Sequence, residues 1–158
     1  MGEPRSTVRV AGAGDYGAVG ALLHDFNHEF GDPAPEPAVL AGRIGRLVDS
    51  GDTVVMVTGE PPQGVAVLRF RPAIFTAGLE CYLAELYVVP HRRGEGLGRS
   101  LMDDSLRLAR ERGADSMEIC VDEPDTAARR LYESMGFTNR TGGPDGPLMY
   151  FYERDLRT

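Results

Sequence analysis

No lysine occurs among the 158 residues; all 17 basic side chains are arginine, against 24 acidic ones, for a formal net charge of −7. Without lysine, the Gly-Lys-Ser/Thr phosphate loop is excluded. The acidic excess argues against nucleic acid as a partner, because such proteins present a clustered basic face. It suits a cationic partner, whose local concentration a negative cleft raises. Cysteine is scarce. Cys81 and Cys120 alone fit free thiols in a reducing cytoplasm, and with no Cys/His metal spacing no metal is expected. Long apolar runs are missing too: the longest is five residues, 148–152, where a membrane-spanning helix needs about 20. No membrane partner is therefore expected. Met1-Gly2-Glu3-Pro4-Arg5 has no apolar stretch behind it, so no signal peptide is read there. The length predicts one domain, 1–158, able to bury a core without disulfide or metal staples.

What is present is a change of periodicity along the chain. A first strand is read at 7–11. Asp15 is a plausible helix cap, and Val19, Leu22, Leu23 and Phe26 recur at helical spacing, giving a helix over 15–30. Three prolines, Pro33, Pro35 and Pro37, make the next stretch a loop. A second helix is expected over 37–50, with Val39, Leu40, Ile44, Leu47 and Val48 inward. β-Branched runs predict strands at 53–58, 65–70 and 80–89, with a turn through Pro61, Pro62 and Gly64. A long amphipathic helix is expected over 96–112 and stops at Gly113. Then come a strand at 116–121, a helix over 125–135, and short strands from 137 and over 148–156. This order describes one α/β domain with a mainly antiparallel sheet and one parallel pair around the long crossover helix.

The most informative stretch runs from Glu85 to Arg99. A strand enters a loop with Gly94, Gly96 and Gly98 at alternate positions, and the loop opens a helix. Free amides at a helix N-terminus and its dipole favour an anion. Glycine permits close approach of a phosphate to the backbone, and Arg92, Arg93 and Arg99 are placed to add charge-assisted contacts. The Rossmann spacing Gly-x-Gly-x-x-Gly is not met.

Arg93-x-x-Gly96-x-Gly98 resembles the Arg/Gln-x-x-Gly-x-Gly/Ala signature of the GCN5-related N-acetyltransferases. Leu86-Tyr87-Val88-Val89-Pro90 resembles that family's fourth strand. Asp125-Thr126-Ala127-Ala128-Arg129-Arg130-Leu131-Tyr132-Glu133-Ser134-Met135-Gly136-Phe137 resembles its Asn-x-x-Ala-x-x-Leu-Tyr-Glu-x-x-Gly-Phe segment. Within the family, residues 82–88 look most like the spermidine/spermine-type enzymes. The resemblance implies a single domain with a mixed, mostly antiparallel sheet of about seven strands and helices on both faces. It implies acetyl-CoA as cosubstrate, held between splayed fourth and fifth strands, and a homodimer as the expectation.

Residue by residue, the resemblance implies that the backbones of Leu86, Tyr87 and Val88 pair with the pantetheine arm, the Val88 amide acting as oxyanion donor. It implies that the amides from Gly94 through Glu95, Gly96, Leu97 and Gly98 to Arg99, with Arg93, hold the pyrophosphate. Asp125, Ala128 and Tyr132 share one helix face. The resemblance implies that Ala128 leaves room for the cofactor and that Tyr132 acts as general acid, with packing against Phe137 the alternative role of that ring. Asp125 stands where the family has asparagine, so a helix cap and a cofactor contact are both open. Glu85 is the candidate base, on the opposite strand face from Ala84 by simple alternation.

Between Arg9 and Arg43 no basic residue occurs, while Asp15, Asp25, Glu29, Asp32 and Glu36 do. The resemblance makes this region the acceptor wall. Phe26, Asn27, Glu29, Tyr82 and Glu85 are the candidate substrate contacts, with core packing the main role expected of Phe70 and Phe75. The function expected is acetyl transfer from acetyl-CoA to a primary amine of a small molecule, by direct attack in a ternary complex. Acetylation of a protein or peptide amine, and a non-catalytic acyl-CoA sensor, are the alternatives.

Overall fold

The computed structural model describes residues 7–158; the signal-peptide reading at 1–5 falls outside the described residues. Two compact units are distinguished, Met1–Ile119 and Cys120–Thr158.

The first unit carries a five-stranded sheet in sequence order: β1 (Val8–Val10), β2 (Thr53–Thr58), β3 (Gly64–Pro72), β4 (Leu79–Val88) and β5 (Ala114–Ile119). Its first three pairings are antiparallel. β4 and β5 are parallel, as a helical crossover requires. That crossover is α3 (Leu97–Glu111), which turns Leu97, Leu101, Met102, Ser105 and Ala109 inward.

The other face of the sheet is covered by α1 (Tyr16–Glu29) and α2 (Pro37–Asp49). Val19 and Leu22 of α1 and Ile44 of α2 form one buried cluster with Val55, Val57, Val65, Val67 and Tyr87 from the strands. Each such side chain contributes roughly 1.5–3 kcal/mol by leaving water. The two helices approach closely at Gly20, where a β-carbon would stand 2.3 Å from the Pro37 carbonyl oxygen.

Asp15 does not cap α1 through its side chain. Its carboxylate instead takes two 2.7 Å bonds from Arg9 and one of 2.8 Å from the Gly12 amide. The Arg9 guanidinium is the larger cause of an Asp15 pKa lowered to about 2 from 3.8. A carboxylate whose pKa falls on folding stabilises the fold above its unfolded pKa and loses that stabilisation as pH falls toward the folded value. Denaturant melts should therefore show stability dropping between about pH 4 and pH 2. The Asp15→Asn variant should start less stable at pH 7 and show a shallower acid drop; an unchanged acid slope would contradict the assignment.

The second unit contains α4 (Thr126–Ser134). The strands expected from 137 and over 148–156 do not form among the described residues. The sheet has five strands, not about seven. Past α4 there is one isolated bridge, Arg140 to Leu148, closed by Thr141 to Pro147 and Met149 to Asn139 backbone bonds. The run 148–152 has the composition of a strand, but a strand exists only where a neighbour takes its amides. Gly142 and Gly143 at positive φ turn the chain after only a few residues.

Candidate functional site

The glycine loop is where the sequence places it, between β4 and α3. Gly94 and Gly96 have φ of +81° and +86°, the left-handed region that glycine alone enters freely. Gly96 is the N-cap of α3 and supplies no side-chain acceptor. The first helical bond is Ser100 N–H to the Gly96 carbonyl, at 3.0 Å. The amides of Leu97 and Gly98 therefore precede the first helical bond and have no acceptor within the helix. Around Gly96 nothing lies within 4 Å of where a β-carbon would stand. An open surface bordered by such amides at a helix N-terminus has the chemistry of a diphosphate cradle.

The loop arginines are less available than expected. Arg92 is bonded to Glu95 at 2.8 Å and also to Gln63. Arg93 makes two 2.9 Å bonds to Glu29 of α1 and a 3.0 Å bond from Nε to the Val88 carbonyl, and lies 5.5 Å from the centre of the Tyr87 ring. Both guanidiniums are thus already engaged within the chain.

β4 carries the second component. Its parallel ladder with β5 ends at Leu83 opposite Ile119, while its ladder with β3 continues to Val88 opposite Gly64. Beyond Leu83, the edge of β4 that β5 would occupy has no strand partner among the described residues. Val89 N–H bonds to the Gln63 carbonyl. Antiparallel alternation then directs Tyr87 toward Val65, and turns the backbone groups of Leu86 and Val88 outward. The expectation of three consecutive pantetheine partners thus narrows to Leu86 and Val88, because the Tyr87 backbone belongs to the β3 ladder. The Tyr87 side chain instead supports Arg93 and packs 5.2 Å from the Phe26 ring.

Glu85 sits at a β-bulge. Val67 opposes Glu85 and Leu68 opposes Leu83, so Ala84 is the extra residue. A bulge interrupts alternation, so Ala84 and Glu85 are not simply on opposite faces. Glu85 pairs across from Val67, whose face is the α1/α2 side, and Ala84 also packs against that core. Burial raises the Glu85 pKa above the usual carboxylate value, which suits a base that must hold a proton taken from an amine.

Of the other candidate substrate contacts, Phe26 packs edge-on against Phe30 and at a tilt against Tyr87. Asn27 donates to the Pro33 carbonyl at 3.4 Å, and Glu29 is the Arg93 partner. Tyr82 is 37% exposed on β4, opposite Arg69 and Glu118. Phe70 is buried under the Arg112 guanidinium at 4.7 Å. Phe75 is 98% exposed at the β3–β4 hairpin, not in the core. His24 is tied to the Pro35 carbonyl at 3.0 Å and stacks with His28.

In the second unit, Asp125 Oδ1 accepts the Ala128 amide at 3.1 Å, a helix cap. Tyr132 is 9% exposed and meets Phe137 edge-on with centroids 5.9 Å apart. Burial, and secondarily the Asp125 charge, push its pKa up to about 12. The phenol therefore keeps its proton throughout the neutral range.

Comparison with known proteins gives a consistent picture. The model of the acetyltransferase (GNAT) family matches residues 20–137. A mycothiol acetyltransferase from Thermobispora bispora is 38% identical over 124 residues, covering 75% of this chain and 36% of that protein. The chain thus spans little more than a third of that relative's length. An uncharacterised N-acetyltransferase of Bacillus subtilis is 24% identical over 140 residues, covering 85% of this chain and 91% of its own. Among solved structures, a protein from Arthrobacter sp. FB24 assigned as an acetyltransferase has a TM-score of 0.86 and 44% identity, with 98% of this chain and 99% of that one covered.

Proposed function

The chain belongs to the acetyltransferase (GNAT) family, and from that premise we propose that it transfers the acetyl group of acetyl-CoA to a primary amine of a small molecule. The observation that carries this is the free-edged end of β4 leading through one glycine loop into the first turn of α3, where the Leu97 and Gly98 amides precede the first helical bond. A thioester cosubstrate with a diphosphate fits both parts. Its acyl carbon supplies the electrophile, and its thiolate is the leaving group.

The remaining chemistry falls to the chain's own side chains. Amides of Leu97, Gly98 and Arg99 hold the diphosphate, and the outward backbone groups of Leu86 pair with the amide groups of the arm, the Val88 carbonyl being taken by Arg93. Glu85 takes the proton of the incoming ammonium, leaving a neutral nucleophile. As the new C–N bond forms, the Val88 amide donates to the carbonyl oxygen where negative charge gathers. As the C–S bond breaks, Tyr132 gives its proton to the sulfur, and the proton shed by the acylated nitrogen restores the phenol. Neither cysteine enters, since burial raises the Cys81 pKa to about 11 and burial together with acidic neighbours raises that of Cys120. Neither is the activated thiolate that a covalent route needs. The two units act as one catalytic domain in this reading, in the cytoplasm and as a homodimer.

Thiol release from acetyl-CoA with a panel of polyamines, amino acids, aminoglycosides and peptides tests the reading. At least one small amine should release thiol at a rate proportional to enzyme. Release only with peptides would favour a protein or peptide acceptor, and tight acetyl-CoA binding with no release would favour a sensor. Glu85→Gln should lower kcat/KM about 100-fold. It should also remove the acidic limb of the wild-type pH profile, which lies above the ordinary carboxylate range because the Glu85 pKa is raised. An acidic limb that survives the substitution would relieve Glu85 of the role.

A further inference from the structure

A second polar site lies on the α1/α2 face of the sheet, one step from Glu85. A cleft of about 260 Å³ there is lined by Asp52, Arg69, Arg71, Glu80, Tyr82 and Glu118, among others. Its size suits something smaller than a drug-sized ligand. Arg69 shares the face of Val65 and Val67 by strand alternation, and stands directly across from Tyr82, which stands directly across from Glu118.

The charges in this cleft are unequally matched. Arg71 is paired with Glu80 and reached by Glu118 at 3.7 Å. Its charge is therefore answered by two carboxylates. Asp52 accepts the Ser50 and Thr53 hydroxyls at 2.8 and 3.1 Å, the main reason its pKa is lowered, with Arg69 a smaller contributor. Arg69 lies in the field of Asp52, yet its Nε is buried with no hydrogen-bond partner among the described residues. An unsatisfied buried donor costs about 1–3 kcal/mol, and a guanidinium is a planar fork made for a carboxylate. Arg69 lines the cleft, and since only its Nε is shielded, the terminal nitrogens of its guanidinium are the groups a ligand there can reach.

We propose that this cleft, through Arg69 and Tyr82, binds an anionic group of the acceptor, so that the acceptor is an amine carrying a carboxylate. The inference rests on the acetyl-transfer reading and narrows its substrate class. The spacing follows from register. The Val67–Glu85 row and the Arg69–Tyr82 row are two β3 residues apart, about 7 Å at the strand rise. An amine at Glu85 and a carboxylate at Arg69 are therefore separated by about the length of a dipeptide, since two extended residues span at most about 7 Å. A single α-amino acid is too short to engage both.

Glycylglycine and glycylglycinamide, which differ only in the carboxylate, provide the test. The wild-type protein should acetylate glycylglycine with a KM at least about tenfold lower than that of the amide. In Arg69→Gln this gap should close to within about twofold, with acetyl-CoA affinity unchanged. Arg69→Lys, which keeps the charge without the fork, should fall between, and it decides the matter if Arg69→Gln does not fold. Equal KM values in the wild-type protein, a gap that survives both substitutions, or acetylation of other amines but neither dipeptide would overturn the proposal. If no amine is acetylated, the transfer reading fails by itself. Calorimetry then decides the cleft: glycylglycine heat that disappears in Arg69→Gln supports it, and no heat with the wild-type protein refutes it.

Discussion

Replacing Gly96 with aspartate should weaken acetyl-CoA binding about 100-fold or more. Two effects combine. Gly96 has φ +86°, where any side chain costs about 1–2 kcal/mol. No atom lies within 4 Å of the added β-carbon, so steric exclusion inside the chain is not the cause. The carboxylate would lie beside the amides of Leu97, Gly98 and Arg99, compete for them and repel the diphosphate. Losing two hydrogen bonds to a charged group costs about 3 kcal/mol or more, which is the expected factor. Gly96→Ala isolates the backbone strain and should lose less than about tenfold, with a lower melting temperature. Calorimetric Kd values for acetyl-CoA, measured on all three proteins, check this. Equal losses in the alanine and aspartate variants would assign the effect to strain and remove the diphosphate from this loop.

Tyr132→Phe should lower kcat about 100-fold, the lower range for a positioned general acid, while acetyl-CoA Kd stays within about twofold. The ring is retained, so its edge-on contact with Phe137 and the packing of α4 persist. Only the hydroxyl is lost. Because burial and the Asp125 charge hold the wild-type pKa near 12, the proton is present at every pH of ordinary assay. The deficit should therefore be constant across the neutral range and should not appear as a shifted pH limb. Steady-state kinetics with the best amine of the panel measures it. Undiminished turnover would return Tyr132 to a packing role.

How much of this is legible in the sequence depends on range. The glycine loop, its strand and its helix are written in neighbouring residues, because φ preference, capping and helical period act within a few positions. For the same reason the Asp125 cap could be foreseen, though only the structure shows it bonded to Ala128. The bulge at Ala84 is not legible, because it is a property of β4 measured against β3. Nor is the Arg93–Glu29 pair, whose partners are 64 residues apart, although the absence of any arginine between Arg9 and Arg43 leaves Glu29 without a local partner. Arg69 offered a better signal: an arginine inside a β-branched run asks what satisfies it. The two C-terminal strands that the sequence suggests do not form among the described residues, because the apolar run at 148–152 reports side-chain character and not a partner for the backbone.

In the proposed function the outward edge of β4 and the first turn of α3 together hold acetyl-CoA. A titration of the isotope-labelled full chain with acetyl-CoA, followed through backbone amide resonances, tests it most directly. The largest shifts should fall on Leu86, Val88 and the residues from Gly94 to Arg99. Little change should occur at Tyr87, whose amide is taken by β3. Saturable binding that leaves these amides unmoved, with its shifts elsewhere in the chain, would contradict that reading.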